Sequence, residues 1–122
     1  MPRPLRLDRR GRLVLSEADV ARKVSDWMQL HGWREFVTGY GEIRDGERVV
    51  ARVGEVGMPD RLYIQYSDGF LVWVELKRAK GGRHSIAQKN WIRDERIRGA
   101  EVWSIRSLDE LKEKLKEVFG RD

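Results

Sequence analysis

The stretch Gly57-Met58-Pro59-Asp60-Arg61-Leu62-Tyr63-Ile64-Gln65-Tyr66-Ser67-Asp68-Gly69-Phe70-Leu71-Val72-Trp73-Val74-Glu75-Leu76-Lys77 decides how this chain folds. Leu62 to Tyr66 and Phe70 to Leu76 are rich in aromatic and β-branched residues, and Ser67-Asp68-Gly69 carries turn chemistry, so the segment reads as a β-hairpin. Alternation along its second strand puts Glu75 and Lys77 on one face and Val72, Val74 and Leu76 on the other. If Asp68-Gly69 is a two-residue loop, Asp60 sits opposite Lys77 and Leu62 opposite Glu75. Opposed residues share a face, so Asp60, Glu75 and Lys77 converge. A three-residue loop would turn Asp60 away.

Outward from the hairpin the pattern alternates between helix and strand. Ser16 caps a helix over about 17–31, with Glu17 and Asp19 in its first turn and Val20, Val24, Trp27 and His31 at helical spacing before Gly32. Residues 33–56 read as extended chain, with a hairpin signal at Asp45-Gly46. Ser85-Ile86-Ala87-Gln88 fits a capping box that opens a helix carrying Ile86, Trp91, Ile92 and Ile97 and ending at Gly99. Glu101 to Ile105 is a short strand. Ser107 and Glu110 form a second box before a helix striped with Leu108, Leu111, Leu115, Val118 and Phe119. The fold class is therefore α/β (α+β): a mixed central β-sheet flanked by helices, in the order α-β-β-β-α-β-α, with the strand at 70–76, the helix after it and the strand at 101–105 as one crossover unit.

At 122 residues the chain is one domain, and it has no cysteine and only two histidines, His31 and His84. A disulfide scaffold, a thiolate zinc site, a cysteine nucleophile and a histidine-rich metal site are excluded. No apolar run is long enough for a membrane span, and an intracellular protein is expected, in cytoplasm or nucleoid or phage-encoded in a host cytoplasm. The net charge of +5 is unevenly spread. Residues 1–13 hold five arginines against Asp8, and residues 77–98 hold eight bases against two acids, so these two segments carry +4 and +6 while the remainder is at −5. Residues 1–15 read as a basic N-terminal arm and 16–122 as the folded domain. Two basic segments on a mildly acidic body suit a polyanion, most often nucleic acid, or solvated charge that serves solubility.

Two carboxylates on one face repel unless a cation lies between them, and oxygen ligands without His or Cys select Mg²⁺ or Mn²⁺. Beside such an ion, the ammonium of Lys77 can orient or deprotonate a water and stabilise charge developing on a phosphate. This is the minimal equipment for phosphodiester hydrolysis. Arg78, Lys80, Arg83 and Lys89 follow the motif and are candidate phosphate contacts.

Pro59-Asp60, a spacer of fourteen residues and Glu75-Leu76-Lys77 resemble the PD-(D/E)XK nuclease signature. More narrowly, Gly57-x-Pro59-Asp60, Glu75-x-Lys77, Gln88, Trp91-Ile92 and an acid at the head of the first helix, Glu17, resemble the VRR-NUC family of virus-type replication and repair nucleases. The resemblance covers roughly residues 16–112 and implies a restriction-endonuclease-like core. It implies that Asp60 and Glu75 are metal ligands assisted by the carbonyl of Leu76, that Lys77 acts on the attacking water or the scissile phosphate, that Gln88 reaches back to the site, and that Glu17 completes or supports the metal shell. It further implies a homodimer cutting branched DNA such as four-way junctions. Arg61 departs from the family pattern, which has an apolar residue there. The rival reading is a non-catalytic nucleic-acid-binding module with a structural or decayed carboxylate site; an RNA- or flap-directed nuclease would share the chemistry and differ in substrate.

Overall fold

The structure, a computed structural model, describes residues 16–77 and 84–120. The basic arm at 1–15 and the candidate phosphate contacts Arg78, Lys80 and Arg83 lie outside the described residues. The elements are α1 (Glu17–Leu30), β1 (Trp33–Val37), β2 (Gly41–Asp45), β3 (Arg48–Val53), β4 (Arg61–Gln65), β5 (Leu71–Leu76), α2 (Ile86–Ile97), β6 (Glu101–Ile105) and α3 (Leu108–Phe119). They make a mixed α+β fold around a four-stranded sheet in the order β1-β4-β5-β6. β1, β4 and β5 are antiparallel, and β6 runs parallel to β5 after the crossover through α2. Five strands precede α2, where three were expected. The difference is the β2–β3 hairpin, which turns at Asp45-Gly46-Glu47-Arg48 and forms a two-stranded sheet of its own.

Local chemistry explains the helix ends. Ser16 accepts from the Asp19 N–H at 3.2 Å, while Asp19 Oδ2 accepts from the Ser16 N–H, so α1 opens on a capping box. α3 keeps half of its expected box: Ser107 Oγ accepts from the Glu110 N–H, but the Glu110 carboxylate accepts from the Arg106 N–H instead.

The two faces of the sheet have different partners. Val72, Val74, Leu76, Tyr63, Trp33, Trp103 and Ile105 point to the face covered by α1 and α3, where they pack with Val20, Val24, Met28, Leu111 and Leu115. Each fully buried large side chain there contributes about 1.5–3 kcal/mol. α2 covers the opposite face, with Trp91 edge-on to Trp73 at 5.1 Å and Ile92 buried. Ile86 and Ile97 were expected on the apolar face of α2, but they are 78% and 77% exposed. The helix meets the sheet along too narrow a seam to use them. His31, expected on the apolar face of α1, is its exposed C-cap, stacked on Trp27 at 3.8 Å. Among the described residues, no helix is long and apolar enough to cross a membrane.

Candidate active site

The β4–β5 turn is longer than the Asp-Gly pair suggests. The Gln65 N–H donates to the Phe70 carbonyl and the Gly69 N–H to the Gln65 carbonyl, both at 2.9 Å, so the loop runs over Tyr66, Ser67, Asp68 and Gly69. Asp68 Oδ1 accepts from the Phe70 N–H at 3.1 Å, and Gly69 takes φ 76°, a left-handed conformation that costs glycine little. The register is therefore Leu62 opposite Trp73 and Arg61 opposite Val74. This corrects the expected pairs Asp60–Lys77 and Leu62–Glu75. The offset is two residues, so every side chain keeps its face, and the next step of the ladder sets Asp60 against Glu75.

These residues meet at the end of the sheet where β4 begins and β5 stops. The Asp60 N–H donates to Glu75 Oε2 at 3.2 Å, and Asp60 Oδ2 accepts from the Leu76 N–H at 3.0 Å. Lys77 Nζ lies 3.3 Å from Glu75 Oε1. Gln88, on the first turn of α2, donates from Nε2 to the same Glu75 oxygen at 2.8 Å, while its Oε1 accepts from Lys77 Nζ at 3.3 Å. Capping and site duty were competing uses for this side chain, and the structure serves both. Gln88 Oε1 also accepts from the Ser85 N–H at 2.9 Å, and Ser85 Oγ accepts from the Gln88 N–H. The capping box thus aims Gln88 at Glu75.

Glu75 is 3% exposed and Lys77 9%. Burial, then the neighbouring charge of Asp60 and a hydrogen bond with it, push Glu75 up to about 7, against the pull of Lys77. The buried Glu75 carboxyl therefore favours its protonated form in spite of the lysine. In a strand a residue's N–H and C=O face the same neighbour. The Leu76 N–H faces Asp60, so its carbonyl lies on the Asp60 side, away from the ladder with β6.

Glu17 does not join the pair. It is exposed on the first turn of α1 and meets Asp60 across a cleft of about 410 Å³ that Ala18, Ala21, Arg61 and Leu76 also line. Among the described residues no cluster of three or more His, Cys, Asp or Glu side chains could hold a metal ion. A second cleft of about 420 Å³ borders Asp60 on the α2 side, between Gly39-Tyr40, Gly57-Met58 and Gln88. Lys89 is exposed on α2 close to these groups in sequence. Trp33 is buried in the core and Trp73 packs edge-on against Trp91.

Two features escaped the sequence reading. His84 Nε2 lies 2.8 Å from Ser104 Oγ, and burial followed by the charges of Lys77 and Arg106 holds the imidazole below its usual range. Behind the site, Glu35 on β1 accepts from Tyr63 Oη at 2.7 Å, Ser25 Oγ at 2.8 Å and Gln29 Nε2 at 3.2 Å. Arg61 Nε stands 3.5 Å from the same carboxylate. Burial and then this hydrogen bond raise the Tyr63 phenol above its ordinary range. An acid on the inward face of β1, Trp33-Arg34-Glu35, against an arginine on the partner strand was the available signal. Comparison with protein-family models, curated proteins and solved structures finds no match to this chain.

Proposed function

We propose that this chain is a divalent-metal-dependent nuclease that hydrolyses DNA phosphodiester bonds, on a restriction-endonuclease-like core of PD-(D/E)XK type resembling VRR-NUC. The observation that carries this reading is the Asp60–Glu75 pair, with Lys77 and Gln88 both held against one oxygen of a buried glutamate at the open end of the sheet. The element order supports it as well. With the β2–β3 ribbon set aside, the elements run α-β-β-β-α-β-α.

The donor set fits a hard divalent cation. Two carboxylates face each other across the β4–β5 ladder, burial and then Asp60 hold Glu75 up at about 7, and His84 is committed to Ser104 rather than to them. Asp60, Glu75 and the Leu76 carbonyl would hold Mg²⁺ or Mn²⁺, with Glu17 supporting from across the cleft. When bound, the ion supplies charge neutralisation and a more acidic water. Lys77, locked between Glu75 and Gln88, donates to the attacking water or to a phosphate oxygen as negative charge grows there. The water oxygen bonds to phosphorus and its proton passes to solvent. The P–O3′ bond breaks and the leaving O3′ takes a proton from solvent, giving a 5′-phosphate and a 3′-hydroxyl, the outcome that the family resemblance implies. Branched DNA and a homodimer follow from the same resemblance, since a two-fold axis would set two sites across a branch point.

The binding-module reading draws on the Glu75–Lys77 contact, which is also a plain ion pair, and on the separation of Glu17. Labelled four-way junction, flap, duplex DNA and single-stranded RNA, each with Mg²⁺, Mn²⁺ or EDTA, separate the readings. Metal-dependent cutting of DNA is expected, falling at least about a hundredfold in Asp60→Ala and Lys77→Ala with binding retained. Binding without metal-dependent cutting eliminates the enzyme reading.

A further inference from the structure

We infer that Arg61 is a substrate-contacting group that grips the phosphate next to the one being cut, in the cleft between the first turn of α1 and the ends of β4 and β5. This rests on the proposed nuclease reading. Asp60 and Arg61 are consecutive at the start of β4, so their side chains leave opposite faces of the sheet. Asp60 accordingly borders the α2-side cleft with Gln88 and also the α1-side cleft with Arg61. A strand that crosses the carboxylate pair passes from one cleft into the other and meets Arg61 there.

The guanidinium is held but not used up. Its Nη1 donates to the Asp60 carbonyl at 3.1 Å, which ties its position to the residue at the centre of the site. Its Nε is buried, donates no hydrogen bond, and lies 3.5 Å from Glu35. Glu35 takes three other hydrogen bonds, from Tyr63, Ser25 and Gln29, so its oxygens are occupied and its link to the arginine is an ion pair without a hydrogen bond. Nη2 donates to no described residue, and the side chain is 21% exposed, on the wall of the cleft. A planar fork with unspent donors matches a phosphate better than a point charge does. The cleft also needs it. Glu17 and Asp60 line the same walls, and without a cation there two acids would repel a phosphate.

The test is binding of a fluorescent four-way junction and duplex in EDTA, at salt concentrations from about 50 to 200 mM, by wild type, Arg61→Ala and Arg61→Lys. Arg61→Ala is expected to weaken binding about tenfold and to reduce the slope of log affinity against log salt by about one, while Arg61→Lys keeps the slope. An unchanged slope in Arg61→Ala overturns the inference. If that variant does not fold, the wild-type Nε–Hε resonance of Arg61, assigned from Arg61→Lys, decides: it shifts on titration with the oligonucleotide if the inference holds and stays fixed if it fails. A wild type that cuts DNA while Arg61→Ala keeps its slope defeats this inference alone. A wild type that binds no DNA defeats the nuclease reading with it.

Discussion

Replacing Glu75 by Gln should make the metal-free protein more stable at alkaline pH and leave it unchanged in mild acid. Burial and Asp60 raise Glu75 from its ordinary 4.5 to about 7, so the folded state prefers the protonated form. The sign follows from linkage. The stability associated with the protonated group is fully present below 4.5, declines as pH rises towards 7, and is gone above it. At about 1.4 kcal/mol per pH unit the interval corresponds to about 3 kcal/mol, and screening through the open clefts reduces this to about 2 kcal/mol. Glutamine mimics the protonated form. Urea unfolding at about pH 4 and pH 8.5 in EDTA should therefore show nearly equal midpoints at the lower pH, and a gain of about 2 kcal/mol for Glu75→Gln at the higher. Mn²⁺ at pH 8.5 should stabilise wild type and leave Glu75→Gln nearly unmoved, because the ion takes the place of the missing positive charge. A variant that is less stable than wild type by the same amount at both pH values would refute the reasoning. Glu75 would then be a satisfied partner of Lys77 and Gln88 rather than a strained member of an acid pair.

Two further substitutions test how the site is held in place. Gly57 has φ 90°, and a Cβ there would overlap the Ala87 carbonyl and stand 2.9 Å from the Gln88 backbone nitrogen. Gly57→Ala should cost about 2 kcal/mol or more in urea unfolding and should weaken cleavage, as the first turn of α2 moves away with Gln88. Ser85→Ala removes the N-cap of α2 and should cost about 1 kcal/mol. Because Gln88 then loses half of its capping box, cleavage should fall further than stability alone explains; equal activity of folded Ser85→Ala and wild type would separate the cap from the site.

What was legible in the sequence was local. Ser16 with Asp19, Asp45-Gly46 and Ser85 with Gln88 each act within four residues, and the elements they bound lie where those residues put them. Glu101–Ile105 was read correctly as well, since its β-branched and aromatic residues fall between a glycine and a helix cap. The rest depended on distant partners. The β4–β5 turn lengthens because Gln65 pairs with Phe70, and Phe70 packs on Phe119, at the far end of the chain. Ile86 and Ile97 keep the spacing of an apolar stripe but no described residue buries them, and spacing alone does not count neighbours. The signal at Glu35 has meaning only once β1 lies beside β4, across the β2–β3 ribbon.

The site demands parity from the turn, and its length then decides the character of the site. A loop of two residues would oppose Asp60 to Lys77, with their Cβ atoms about 5 Å apart, and the pair would neutralise each other. Glu75 would then lie diagonal to Asp60 on the same face, with the lysine directly opposite the aspartate. The four-residue loop keeps all three side chains on the same face but opposes acid to acid, with the Asp60 N–H bonded to Glu75 Oε2. Lys77, now diagonal to Asp60, reaches Glu75 at 3.3 Å with Gln88 bracing it. One ammonium faces two carboxylates, and burial first, then Asp60, raises Glu75 to about 7 against the pull of Lys77. The two acids and the ammonium stand beside two open clefts, the arrangement on which the proposed metal and phosphate sites rest.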